Sequence, residues 1–383
     1  MPKLKTDVTV IGAGPAGSVT ARTIAKHGFD VVLVEKDEYP GRTNVCAGGM
    51  PKSIIKEIGL SSEVIEKEIS GGKQFFPWGL KISNLDNITV YRHVFDKALA
   101  GIALEEGAKM LTNTLVKDVS VKNDGIRVIS EGNTDTIESK LVVFADGPNT
   151  LAYRKFGIGF KPEADKTLVS VACEVKWENN PLNHYELYYG YKISPWGYGW
   201  IFPKRDTVNV GVGCLYSELH SNIIESLNYI LQRYPLTREK LKGKEIVWLS
   251  SALIPAAPVK QIFGERMLVV GDAAGMVDPV SGGGIVSAIN GGKLAGEVCA
   301  KALERNNFSP TFLSQYQTSW HKTIDYSRIY SKYLLSDVFL YILKLDRNAY
   351  PKLVAITQGG FKKAFNPLVC VLKYHFWQLL HVR

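Results

Sequence analysis

Cysteine is scarce in this chain. Five cysteines stand among 383 residues, at Cys46, Cys173, Cys214, Cys299 and Cys370, odd in number and widely scattered. That excludes a disulfide framework and points to reduced thiols in a cytoplasmic setting. No CxxC pair and no His/Cys cluster is present, so no metal site is expected. Long apolar runs are also missing: none reaches roughly 18 residues, the length a membrane-spanning helix requires. Only six residues precede the first apolar strand, so neither a signal peptide nor a transit segment is expected.

What is present is ordinary for a globular protein: 45% hydrophobic and 22% charged residues, in a chain long enough for one large domain or two intimately joined ones. The formal charge of +9 is unevenly placed. From Asn290 to Arg383 there are 13 Lys and Arg against 5 Asp and Glu, so nearly all the excess sits in the last quarter. A basic, aromatic-rich end suits an anionic partner such as a membrane surface, a phospholipid head group or a diphosphate. A solvated basic face explains the charge equally well. No nucleic-acid recognition motif accompanies it, so no nucleic-acid partner is expected.

The organising stretch is DVTVIGAGPAGSVTARTIAKHGFDVVLVE, residues 7–35. It reads as strand, glycine turn, helix and second strand. Gly12 permits the sharp bend, Gly14 lets backbone N–H groups approach a pyrophosphate, and Gly17 allows the helix to pack close to the strand. The helix N-terminus favours an anion. Glu35, closing the second strand, can accept hydrogen bonds from ribose hydroxyls. Strand, turn, helix and terminal acid together specify an adenine-dinucleotide site.

Downstream, residues 36–50 form a small-residue loop with Cys46, Ala47 and Gly49 that can lie along the cofactor; Cys46 is then either a cofactor-side residue or an inert buried thiol. Residues 53–68 read as helix, 71–89 as small inserted strands, and 97–107 as helix. Arg92, just before that helix, could hold a phosphate or a ring edge; an ion pair with Asp96 is the alternative. Val116 lies at a strand end. Residues 141–145 are a buried strand running into Asp146-Gly147. Between 160 and 253 the pattern turns to alternating, Val-, Tyr- and Trp-rich strands, an antiparallel sheet inserted between two halves of the nucleotide domain. Residues 222–234 supply one helix. The nucleotide fold resumes with a hydrophobic strand ending in Gly271-Asp272-Ala273-Ala274-Gly275, where Asp272 can accept from a ribityl hydroxyl. A glycine-rich turn and a helix over 285–303 follow, with Gly284 and Ile285 at the helix start aimed at the cofactor ring. The tail reads as helical and aromatic, with apolar stretches at 333–345 and 368–380, each too short to span a bilayer. They fit a lid over a lipid groove, an interfacial segment, or packing onto the body.

The first glycine turn, Glu35, Asp146-Gly147 and GDAAG, in this order, resemble the FAD-containing monooxygenase-type superfamily. Tyr198-Gly199-Trp200-Ile201-Phe202-Pro203, seven residues, then Gly211-Val212-Gly213 is similar to the YxWxFP…GxG signature of the geranylgeranyl reductase family, and Val45-Cys46-Ala47-Gly48-Gly49 resembles the cysteine loop of its archaeal members. The resemblance covers roughly residues 5–305.

It implies an α/β fold: a Rossmann-type FAD-binding domain (1–159 and 254–305), an inserted antiparallel substrate sheet (160–253) and a helical C-terminal region (306–383). It implies FAD contacts at Ala16, Glu35, Cys46, Ala47, Gly49, Arg92, Val116, Asp272, Gly284 and Ile285. Tyr198, Trp200 and Phe202 would line a substrate channel. The catalytic candidates are Cys46, Tyr198 and Trp200. The implied activity is saturation of isoprenoid double bonds, on digeranylgeranylglycerophospholipids in archaeal membrane lipid synthesis. Geranylgeranyl diphosphate or a chlorophyll precursor is the alternative substrate; a flavin monooxygenase acting on an aromatic substrate is the alternative enzyme. No second G-x-G-x-x-G is present, so electrons would come from an external donor, ferredoxin or NAD(P)H. Peripheral contact with the cytoplasmic face of the membrane is the remaining partner expectation.

Overall fold

Runs of β-branched residues buried on both faces make the parallel strands of the nucleotide domain. Val8–Ile11 and Val31–Val34 are buried at every position. In the computed structural model, which describes residues 3–42, 46–77, 79–132, 136–219 and 222–345, they are adjacent interior strands of a six-stranded sheet. Its order is Phe263–Gly264, Met267–Val269, Leu141–Phe144, Val8–Ile11, Val31–Val34 and Lys109–Leu111. All of these pairings are parallel except that of the two-residue edge strand. Helices Pro15–Lys26 and Ile285–Glu304 pack against each other, with the Thr20 hydroxyl bonded to the carbonyls of Ala16 and Gly292. A four-stranded sheet of Lys3–Lys5, Thr136–Ser139, Gly125–Gly132 and Thr114–Lys122 flanks them.

The third sheet has eight strands, in the order Ile246–Pro255, Thr167–Lys176, Thr207–Leu215, Tyr198–Pro203, His184–Tyr188, Lys67–Phe76, Gly79–Thr89 and Gly49–Pro51. This differs from the expectation in two respects. The strands near 71–89 are not an insert in the nucleotide domain; they extend the substrate sheet. The sheet is also mixed, because His184–Tyr188 runs parallel to Lys67–Phe76. Parallel pairing is open to these two strands because the long stretch between them leaves room for the crossover that it requires.

The expected helix over 53–68 ends early. Ser53–Ile58 is stopped by Gly59 in the left-handed conformation (φ 74°), and strand takes over at Lys67. The single helix expected over 222–234 is an α-helical turn, Ile223–Asn228, continued by a π-helical one, Tyr229–Arg233. Both pack on the outer face of the eight-stranded sheet, where Ile230 and Leu227 meet Ile201, Val210 and Val212. In the tail, Pro310–His321 and Ile324–Leu345 are helical, so the stretch at 333–345 continues a helix. The stretch at 368–380 and Cys370 lie outside the described residues. Among those described, no helix is long and apolar enough to cross a membrane.

Candidate functional site: a dinucleotide cradle facing an aromatic wall

The glycine turn has no room for side chains. Gly12 takes φ +99°, and a Cβ there would stand 2.3 Å from the Ala145 carbonyl oxygen. A Cβ on Gly17 would stand 1.9 Å from the Gly12 carbonyl oxygen. Gly14, in contrast, faces open space at the start of helix Pro15–Lys26, so free N–H groups look into a cleft. Ala16 lies at the same helix end, against Gly271. Glu35 sits beside the turn: one carboxylate oxygen accepts from the Ala13 N–H (2.9 Å) and the other from the Asp37 N–H (3.0 Å). Burial pushes its carboxyl above the usual carboxylate range, and the two backbone donors oppose that rise. Val116 stands two residues beyond Thr114, whose N–H bonds the Glu35 carbonyl.

At the other end of the cleft, strand Met267–Val269 leads into the turn Gly271–Ala274. The Asp272 carboxyl is raised by burial and lowered by the positive charge of Arg92. A Cβ on Gly284 would lie 3.3 Å from Asp272 Oδ1, so the N-terminus of helix Ile285–Glu304, with Gly284 and Ile285, closes on the same point. Arg92 makes the ion pair that was its alternative: Nε and an Nη each lie 2.8 Å from the two oxygens of Asp96. Cys46 lies near it, and Asp96 with Cys46 outweighs burial in holding its charge. Cys46, Arg92 and Asp272 therefore converge. Ala47 and Gly49 follow in the same loop, with Gly49 beneath Phe202 and Tyr185.

The opposing wall is the inner face of the eight-stranded sheet. Tyr198, Trp200 and Phe202 alternate along one strand and so share that face. Tyr198 and Trp200 meet edge to face at 5.9 Å, and Phe202 stacks on Tyr185 at 3.9 Å. The Tyr198 hydroxyl donates to the Ser281 carbonyl in the glycine-rich turn. Burial, then the nearby Asp278 and Cys46, hold its proton in place well above the ordinary tyrosine pKa. Asp278 braces that turn by accepting from the Val280 N–H (3.0 Å) and the Ser281 N–H (3.1 Å), and it pairs with Lys332 of the tail.

These residues fit FAD. The cradle at Gly14 is open, two helix N-termini face the cleft, and one buried oxygen of Asp146, beside the first turn, has no hydrogen-bond partner. The comparisons agree. A family model described as FAD binding domain matches residues 5–324. A digeranylgeranylglycerophospholipid reductase of Methanococcus vannielii is 36% identical, over 87% of this chain and 85% of its own length. The protein of that name in Methanocaldococcus jannaschii is 34% identical over 85% of each chain. The chain belongs to this family of FAD-binding reductases.

Its fold matches that of a geranylgeranyl bacteriochlorophyll reductase-like protein of Thermoplasma acidophilum, with a TM-score of 0.82 at 26% identity over 93% of this chain and 92% of that one.

Several site residues escaped the sequence reading. Tyr185 sits in a strand that was expected, and its period-two alternation would have placed it opposite Phe202 had the strand pairing been known. Asp278 and Lys332 meet only through the tertiary fold. A cavity of about 480 Å³, lined in part by Val175, Leu231 and Leu241, lies on the helix-covered face of the sheet, away from Trp200. Among the described residues no group of His, Cys, Asp and Glu could hold a metal ion.

Proposed function

We propose that this protein is an FAD-dependent reductase that saturates the isoprenoid double bonds of geranylgeranyl chains on archaeal glycerophospholipids. One observation carries the reading: in a chain of this family, Tyr198, Trp200 and Phe202 form one aromatic face opposite the point where Cys46, Arg92 and Asp272 meet. The cleft shaped by Gly14, Glu35, Asp272 and Gly284 would hold FAD, whose reduced form, replenished by an external donor of the ferredoxin or NAD(P)H type, would supply the hydride chemistry.

The chain's residues do the rest. Gly12, Gly14, Ala16 and Gly17 shape the pyrophosphate cradle and Glu35 takes the ribose. Asp272 and the N-terminus at Gly284 and Ile285 hold the ring end, while Val116, Ala47 and Gly49 line the cofactor. A trisubstituted alkene has no carbonyl to stabilise an anion, so a proton must reach the second carbon along with the hydride. Positive charge developing there is tolerated by the ring faces of Trp200 and Phe202, and their apolar surface excludes water. Tyr198 is committed to the Ser281 carbonyl, which makes Cys46 the better proton donor; the sulfur left behind faces the buried Arg92 cation. The basic tail suits peripheral contact with an anionic membrane face.

Anaerobic incubation of the reduced, FAD-loaded protein with digeranylgeranylglycerophospholipid tests this. Stepwise gain of hydrogen by the lipid, read by mass spectrometry, is expected. Cys46→Ala should keep its flavin and lose turnover. An unchanged lipid, with oxygen-dependent hydroxylation of added phenols, would overturn the reading in favour of a monooxygenase.

A further inference from the structure

The Trp200 indole is held more tightly than an apolar channel wall requires. Its ring lies flat over Gly211, where a Cβ would stand 2.1 Å from Cζ2, and its Nε1–H donates to Asn209 Oδ1 at 2.7 Å. Asn209 is fully buried, and its Nδ2 donates to Glu174 Oε1 at 2.8 Å. That carboxylate also accepts from Lys204, 2% exposed, and its other oxygen accepts from the Thr207 hydroxyl at 2.8 Å. Thr207 in turn bonds the Tyr91 hydroxyl at 2.7 Å, and the Lys204 ammonium stands 4.3 Å over the Tyr91 ring. Tyr91 is the N-cap residue of helix Arg92–Glu105, so the next residue is the Arg92 that lies near Cys46.

A continuous polar chain therefore runs from the substrate wall to the helix bearing Arg92, buried at Asn209, Glu174 and Lys204 and half-buried at Thr207 and Tyr91. Burying a charged pair and an amide here is costly in desolvation, and apolar residues would pack the sheet at least as stably. The return is orientation: an amide locked by an ionised carboxylate can present its oxygen to the indole in only one way.

We propose that Asn209, Glu174 and Lys204 are positioning residues that hold the Trp200 indole in one orientation and register it to the helix bearing Arg92. The inference rests on Trp200 lining the substrate channel, as in the function proposed above. The unit acts through Trp200 and touches no reacting atom.

The test uses full-length, FAD-loaded protein labelled with 5-fluorotryptophan, with the Trp200 fluorine signal assigned from Trp200→Phe. Asn209→Leu keeps the volume and removes both bonds. Flavin content is expected to hold, the Trp200 signal to shift and broaden or split, and turnover to fall about tenfold while KM for the prenyl lipid stays within about twofold. Should Asn209→Leu fail to fold, Glu174→Leu with Lys204→Met removes the acceptor without stranding a charge and is expected to broaden the same signal. Glu174→Gln with Lys204→Met retains an acceptor for Asn209 and should return the narrow signal and most of the turnover. An unmoved, narrow Trp200 signal in whichever acceptor-deleting variant folds would overturn the proposal. The fluorine readout needs no substrate, so a wild-type protein inactive on prenyl lipid would refute the proposed function while the positioning of Trp200 is still decided by the signal.

Discussion

The two walls of the cleft are made of different materials. On the cofactor side the contacts are backbone: glycine turns at Gly12 and Gly14, helix N-termini at Pro15 and Ile285, and a carboxylate, Glu35, held by two main-chain donors. On the sheet side they are side chains: stacked rings, and the buried Glu174–Lys204–Asn209 chain beneath Trp200. A backbone wall has its shape as soon as the chain folds and cannot be retuned by swapping a rotamer. A side-chain wall can be reshaped residue by residue and needs supports of its own. This is a physical reason for a cofactor-binding frame to be shared among proteins whose substrates differ.

Three experiments would sharpen or break that contrast. The largest effect is expected on the backbone wall. Gly17→Val puts side-chain atoms where a Cβ alone already lies 1.9 Å from the Gly12 carbonyl oxygen. The purified variant should be colourless and melt well below wild type; a yellow protein of normal melting temperature would show that the turn can relax. Next is Lys204→Met, which leaves Glu174 buried without its cation and should cost about 3–5 kcal/mol by denaturant titration. Adding Glu174→Gln should recover most of that loss.

The smallest effect concerns Asp272, whose folded-state carboxyl is raised by burial. A raised acid favours its neutral form in the fold. Its ionisation therefore costs stability as pH climbs from the unfolded value of about 3.9 through the folded one. In flavin-stripped protein, Asp272→Asn should melt slightly above wild type at neutral pH, with the gap closing toward about pH 4. A gap independent of pH would mean that Arg92 already neutralises the group.

The same contrast governs how much could be read from the sequence. The nucleotide half was legible because its signals are local: Gly12 to Gly17, the buried strands at Val8–Ile11 and Val31–Val34, and the acid at Glu35 all fall within one short stretch. The aromatic wall was half legible. The family resemblance names Tyr198, Trp200 and Phe202 as channel residues, and the strand Tyr198–Pro203 puts all three on one face, but nothing local tells that Tyr185 stacks on Phe202. The supports of Trp200 were illegible, because Glu174, Asn209 and Tyr91 meet only through strand pairing and interdomain contact. The short helix at Ser53–Ile58 was over-read because Gly59 is a stop only when the chain turns left-handed there. The strands near 71–89 are legible as strands, but alternation says nothing about which sheet a strand will join.

Strand order in the nucleotide sheet has a consequence for synthesis. Val8–Ile11 leaves the ribosome first, its neighbour Leu141–Phe144 is made far later, and that strand's other partner, Met267–Val269, emerges only when most of the polypeptide exists. Until each partner is made, the growing sheet keeps an apolar, unpaired edge, a known route to aggregation. Slow refolding in the test tube, with losses that grow with protein concentration and shrink when FAD is present from the start, is the behaviour such a chain order imposes.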